Sequence, residues 1–200
     1  MKYTQEKSLV IIKPDGVQRS LIGEVIKRLE RVGLKLVALK FQIPTMDQAK
    51  QHYTIDPNWI EKTGNKSITA LEKSGKDISG LQPVEVGSEL LSCLQRYLSS
   101  GPVVIMVWQG AHAVDVIRKL VGGTEPRTSD VGTIRGDFVH DSYEISDIEK
   151  RSVRNVVHAS GNVEEAEKEI QVWFKPEEII SYRLVAEEIL YDVNFDGKSE

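Results

Sequence analysis

Leu9-Val10-Ile11-Ile12 is an unbroken apolar run rich in β-branched residues, and it stops at Lys13-Pro14-Asp15-Gly16. That pattern predicts a buried strand running into a tight turn. From Leu21 to Arg31, Ile22, Val25, Ile26 and Leu29 recur at i, i+3, i+4 and i+7, an apolar helical stripe with Gly33 placed to cap its end. Leu39, Phe41 and Ile43 then alternate with Lys40 and Gln42, which predicts a strand with one face buried. Thr45 and Gln48 have capping-box spacing, so a short helix should carry Ala49 to Tyr53. Between Ile55 and Gly87 the periodicity dissolves into Gly, Lys, Ser and Thr, too long a stretch for an ordinary connection, and it reads as an insertion.

Helical spacing returns with Leu90, Leu91, Leu94, Tyr97 and Leu98, Gly101-Pro102 stops it, and Val103 to Trp108 predicts another buried strand. His112 to Val121 reads as a helix ended by Gly122-Gly123, followed by a long polar loop to Phe138. Asp141 to Arg151 is a polar excursion, Asn155 to His158 a last short strand, and Asn162 with Glu165 opens a helix running to Phe174. The order is β-α-β, helices, β-α, loop, β-α, with no internal repeat.

Two hundred residues, 40% hydrophobic and 28% charged, suit one globular domain, residues 1–200, with insertions at about 55–87 and 141–151. The net charge of −4 argues against specific nucleic-acid binding. The single Cys93 reads as a buried small side chain on an apolar helix face and suits a reducing compartment, so a cytoplasmic location is expected. The polar stretch Met1 to Lys7 is no signal peptide, and no apolar run is long enough to span a membrane.

Neither a P-loop nor a strand-linked Gly-x-Gly-x-x-Gly occurs. The chemistry gathers instead at element ends: Lys13, Arg118, Arg135 and His158, one imidazole among three cations, which points to an anionic substrate. His52, His112 and His140, in no comparable company along the chain, read as structural histidines, and Trp108 and Trp173 as core or interface residues.

Ile12-Lys13-Pro14-Asp15-Gly16-Val17-Gln18-Arg19, Ser100-Gly101-Pro102-Val103-Val104, Gly132-Thr133-Ile134-Arg135-Gly136-Asp137-Phe138 and Asn155-Val156-Val157-His158-Ala159-Ser160 resemble, in order, the nucleoside diphosphate kinase family. Val163 to Ile170 and Trp173-Phe174 continue the resemblance. It implies an α+β fold, a ferredoxin-like βαββαβ sandwich with an antiparallel four-stranded sheet. It implies ping-pong transfer of a γ-phosphate from a nucleoside triphosphate to His158 and on to a nucleoside diphosphate, with Mg2+ carried chiefly by the nucleotide phosphates. By the same resemblance, Lys13, Tyr53, Arg118, Thr124, Arg135 and Asn155 bind phosphate and sugar, and Glu169 and Ser160 orient the histidine. A homo-oligomer, hexamer or tetramer, is also implied.

Three departures from the family pattern stand out. Leu90 and Leu94 occupy the base-stacking positions, one of which is usually phenylalanine, with Trp59 as a substitute platform. Ala159 replaces a glycine, and Gly161 stands where an aspartate is common near the metal's waters. Two other readings remain: a catalytically weak nucleotide-binding or regulatory module, and a phosphohistidine relay to a protein.

Overall fold

The run at residues 9–12 forms the centre of β1 (Lys7–Ile12), which pairs antiparallel with β3 (Val103–Gln109) on one side and β4 (Val157–Ala159) on the other. β2 (Lys35–Gln42) adds antiparallel to the far side of β3, giving the order β2-β3-β1-β4. This is the four-stranded antiparallel sheet of an α+β, ferredoxin-like fold. The computed structural model describes residues 5–73 and 75–191; Met1 to Thr4 of the polar amino-terminal stretch, Ser74 of the 55–87 segment and residues 192–200 lie outside.

β1 and β3 read as continuous apolar runs because both faces of the sheet are covered, and successive side chains point to opposite faces. Val10, Ile12, Val104 and Met106 pack against α2 (Ile22–Glu30) and α6 (Ala113–Val121) through Val25, Leu29 and Ile117. Leu9, Ile11, Ile105 and Val107 face the other way, against Ala49 of α3 (Met46–Tyr53), Leu98 of α5 (Pro83–Leu98) and Trp173 of α9 (Val163–Trp173). Trp108 and Trp173 are both core residues. The capping box at Thr45 and Gln48 is formed, as is the Asn162 cap on Glu165.

Several elements differ from the sequence expectation. The Pro-Asp-Gly turn becomes a short helix, α1 (Pro14–Gln18), because proline at the first helical position has its φ already set and loses no bond there. The 55–87 segment contains α4 (Trp59–Lys73), which forms a hairpin with α5. Its covered positions, Ile60, Gly64, Ser67, Ile68 and Leu71, do recur at helical spacing, but the small residues among them dilute the apolar stripe and disguise it, and the contact itself is close at the glycines. A Cβ on Gly64 would stand 1.8 Å from the carbonyl oxygen of Pro83, and one on Gly87 would stand 2.0 Å from that of Ile60. The long polar loop contains α7 (Ile134–Phe138), capped by Thr133, and the 141–151 excursion contains α8 (Tyr143–Ile148), capped by Ser142. The last strand starts at Val157 rather than Asn155, for a reason given below.

The apolar alternation in β2 is real, but Leu39, Phe41 and Ile43 face outward, at 48, 61 and 65% exposure. A register irregularity between Leu36 and Ala38 resets the pleat, and Val37 and Ala38 enter the core instead. Lys40 reaches the carbonyl oxygen of Trp173 at 2.8 Å and the carboxylate of Glu178 at 2.7 Å. After α9 the chain crosses the start of this edge strand. Ile180 N–H donates to the Val37 carbonyl at 2.8 Å, the Tyr182 hydroxyl to that of Leu36 at 2.8 Å, and Lys35 Nζ binds Glu187 at the head of α10 (Glu187–Tyr191). No helix among the described residues is long and apolar enough to cross a membrane.

Gly87→Ala should destabilise the fold by about 1–3 kcal/mol, the usual cost of overpacking, seen as a lower midpoint in thermal unfolding. An unchanged midpoint would show that the α4–α5 contact opens without cost.

Candidate active site

The site is built around a backbone kink. Val156 adopts φ +54°, a left-handed conformation that a β-branched residue rarely takes, and the Val157 N–H closes on the Asn155 carbonyl at 2.6 Å in a tight three-residue turn. This kink delays β4 by two residues. Surrounding bonds hold it: Lys13 N–H donates to the Val156 carbonyl at 2.7 Å, and Val156 N–H donates to the Asp15 carboxylate at 3.2 Å. The strongest hold is Arg135. Its Nε donates to the Asn155 carbonyl at 3.3 Å, one terminal nitrogen to Val157 at 2.7 Å, and the other to Gly122 and Gly123 at 2.9 Å each.

A guanidinium has five N–H groups. Four are spent on carbonyls, so the residue expected to bind phosphate is first a clamp on the backbone, with one donor left for a ligand. Burial, above all, lowers its pKa to about 10, which leaves it charged at neutral pH.

The kink sets Asn155 and His158 on either side of Val156 and Val157. Asn155 Oδ1 accepts from Lys13 Nζ at 2.7 Å, and its Nδ2 donates to the Thr124 carbonyl at 3.0 Å. Lys13 lies over the ring of Tyr97, 5.1 Å from its centre, and Tyr97 donates its hydroxyl to Asp15 at 2.7 Å. Burial and then the neighbouring Arg135 bring the Lys13 ammonium down to about 7, against the opposing pull of Asp15. Arg118, on α6, is exposed and makes no ion pair among the described residues. Tyr53, at the end of α3, has a buried hydroxyl with no hydrogen-bond partner among the described residues, and burial with Glu169 nearby pushes its pKa upward.

His158 sits in β4 opposite Ile11. Its Nε2 meets Glu169 Oε1 at 2.9 Å, and Glu169 Oε2 accepts from the Ser160 hydroxyl at 2.5 Å. Ser160 Oγ in turn accepts from Leu9 N–H at 3.1 Å, which ties the array to β1. Burial alone would raise the Glu169 pKa, but the charge and hydrogen bond of His158, with His52 and Ser160, hold it down to about 2. The structure thus brings together His158, Glu169, Ser160, Lys13, Asn155, Thr124 and Arg135. Leu90 and Leu94 lie half-buried one turn apart on α5, outside both core clusters.

His52 is the residue that sequence reasoning misplaced. It lies in the core, as a structural histidine should, yet its ring stands edge-on to that of His158 with centres 4.5 Å apart. Its Nδ1 accepts from Trp173 Nε1 at 3.3 Å, and burial, before all else, depresses its pKa to about 3, so it stays neutral beside His158. The available signal was its position next to Tyr53. Trp59 also approaches, with ring centres 6.1 Å from Tyr53. Gly161 leaves room for a replacement acid: the Glu165 carboxylate lies 2.3 Å from where a Cβ would stand and accepts the Gly161 N–H at 3.1 Å.

Among the described residues, the one group with metal-ligand geometry is His52, His158 and Glu169, with ligand atoms within 4.8 Å of one another. Two imidazoles and an engaged carboxylate do not make the oxygen cage that a hard cation such as magnesium takes. The donors around Lys13 suit phosphate oxygens.

Fold and site together define a phosphate-handling α+β enzyme. The family model described as nucleoside diphosphate kinase matches residues 6–60 and 57–179. The chain belongs to the nucleoside diphosphate kinase family and is a phosphotransferase. It is 44% identical over 179 residues to the nucleoside diphosphate kinase of Pyrobaculum aerophilum, covering 88% of this chain and 98% of that one. It is 41% identical to mouse nucleoside diphosphate kinase B, covering 94% of this chain and 97% of that one. The solved NDP kinase from Pyrobaculum aerophilum superposes with a TM-score of 0.84 at 42% identity, over 88% of this chain and 100% of that chain. A transition-state mimic of the Borrelia burgdorferi enzyme with vanadate and ADP gives 0.75 at 38% identity, over 92% and 95%.

Glu169 carries a folded pKa of about 2 against an ordinary 4.5. A depressed carboxylate stabilises the fold above its unfolded pKa and loses that contribution as pH falls through the folded one. Between pH 4.5 and 2 the urea midpoint of the wild type should therefore fall more steeply than that of Glu169→Gln. Parallel curves would show that the carboxylate gains nothing from its partners.

Proposed function

We propose that this chain transfers the γ-phosphate of a nucleoside triphosphate to Nδ1 of His158 and then to a nucleoside diphosphate. One observation carries the reading: the Nε2 of His158 meets an ionised, buried carboxylate at 2.9 Å. A carboxylate only accepts, so Nε2 holds the proton and Nδ1 keeps its lone pair for attack. The lone pair forms the N–P bond as the bond from phosphorus to the bridging oxygen breaks, and the nucleoside diphosphate leaves with that electron pair. The second half runs in reverse to the acceptor. Glu169 balances the positive charge that grows on the ring, and Ser160 fixes the carboxylate.

Phosphoryl transfer is mostly positioning and charge stabilisation. Lys13, Arg118, the free N–H of Arg135 and the unpartnered Tyr53 hydroxyl supply donors for phosphate oxygens. Asn155 and Thr124 hold Lys13 in place and border the sugar. Magnesium travels on the nucleotide phosphates and neutralises their charge. Leu90 and Leu94, with Trp59 beside Tyr53, cover the base by apolar contact, which accommodates many bases.

The outward row Leu39, Phe41 and Ile43 on an edge strand fits a second copy of the chain, since an exposed apolar edge invites strand addition. A homo-oligomer built from such pairs, tetramer or hexamer, agrees with this. A free Cys93 agrees with a cytoplasmic setting.

Incubation with γ-labelled ATP and magnesium should give acid-labile label on the wild type that moves to GTP when GDP is added, and at least roughly 10³-fold less on His158→Ala. Label that ignores GDP would point to a protein acceptor, and label that survives His158→Ala would sink the assignment. Phe41→Lys should lower the solution mass measured by light scattering; an unchanged mass would place the assembly on another surface.

A further inference from the structure

Tyr97 belongs to two places at once. Lys13 lies over its ring in the phosphate site, and the same side chain lines a cleft of about 350 Å³ that Lys13, Arg118, Arg135 and His158 do not line. The cleft lies between the flank of α5 that carries Cys93 and Arg96 and the segment Lys150 to Arg154.

Its charge is unbalanced. Arg96 donates to Ser92 Oγ at 2.8 Å and to Cys93 Sγ at 3.1 Å, both uncharged groups. Lys150 and Arg154 are exposed, and no carboxylate pairs with either side chain among the described residues. Arg151 is different, because Asp141 and Glu149 neutralise it. The acid in the wall, Asp15, keeps its charge while accepting from two neutral donors, the Tyr97 hydroxyl and Val156 N–H, so it offsets only one of the unpaired cations. Three cations thus face one cavity in a chain whose net charge is −4. A cleft lined by an excess of cations concentrates anions. At ~30 Å³ per water molecule the space is worth about a dozen waters, enough for a diphosphate or a phosphate ester but not for a macromolecule.

We propose that this cleft is a second anion site, distinct from the one at His158, which takes a small polyanion carrying two or more phosphates. Its occupant is felt at the first site. Arg154 adjoins Asn155, which holds Lys13 at 2.7 Å, and Asn155 N–H donates to the Tyr97 hydroxyl at 3.2 Å. An anion on Arg154 and Arg96 stiffens the shared wall from the far side.

The test is calorimetric titration of the intact protein with inorganic pyrophosphate, with iodoacetamide alkylation of Cys93 as the locator. The wild type should bind two pyrophosphates per chain, and Arg118→Gln and the double variant Arg96→Gln/Arg154→Gln one each. Pyrophosphate should slow alkylation several-fold in the wild type and in Arg118→Gln, but not in the double variant. Both cleft arginines are exposed, so the double variant should keep the wild-type melting temperature. One pyrophosphate per wild-type chain would overturn the proposal. So would protection of Cys93 that persists in the double variant, or equal protection by chloride at matched ionic strength. Loss of phosphorylation at His158, by contrast, would bear only on the catalytic reading.

Discussion

Everything that the site does depends on one guanidinium bonded to four carbonyl oxygens. Arg135 joins the end of α6, through Gly122 and Gly123, to the entrance of β4, through Asn155 and Val157. It stabilises a left-handed valine that the chain would otherwise avoid, and that valine sets the angle between Asn155 and His158. Lysine has three donors on one nitrogen and no planar fork, so it cannot replace this clamp. The arginine proposed to bind phosphate is therefore also the scaffold that positions His158.

The site is also arranged so that an anion completes it. Lys13 is held near the point of losing its proton, and among the described residues Arg118 has no acidic partner and the buried Tyr53 hydroxyl no hydrogen-bond partner. Burial makes the Lys13 ammonium and the Tyr53 hydroxyl costly, whereas Arg118 is solvated, and a phosphate oxygen is the kind of partner that suits all three. The overall negative charge of the chain says nothing about this, because the relevant field is local.

Much of this was legible in the amino-acid order. Continuous apolar runs marked β1 and β3, and Asn162 with Glu165 marked the start of α9, because those signals depend on local chemistry. The motif residues carried the site. Three things were hidden for physical reasons. The α4–α5 hairpin packs closely at Gly64 and Gly87, and the stripe of Ile60, Ile68 and Leu71 on α4 is thinned by Gly64 and Ser67, so its helical period was easy to miss. The face of β2 was inverted by an irregularity at Val37 that no alternation count detects. His52 showed only its place beside Tyr53, since its contacts come from Trp173 and His158, 121 and 106 residues away in the chain.

The segment that follows α9 has a consequence for assembly. Its bonds to Lys35, Leu36 and Val37 occupy the first part of the β2 edge and leave the part from Ala38 onward open. A strand approaching from outside finds room for only a few residues, and it can slide no farther than the place where the chain's own tail begins. In the proposed pairing this segment would act as a stop that fixes alignment, and the apolar row would not extend into an open-ended ribbon.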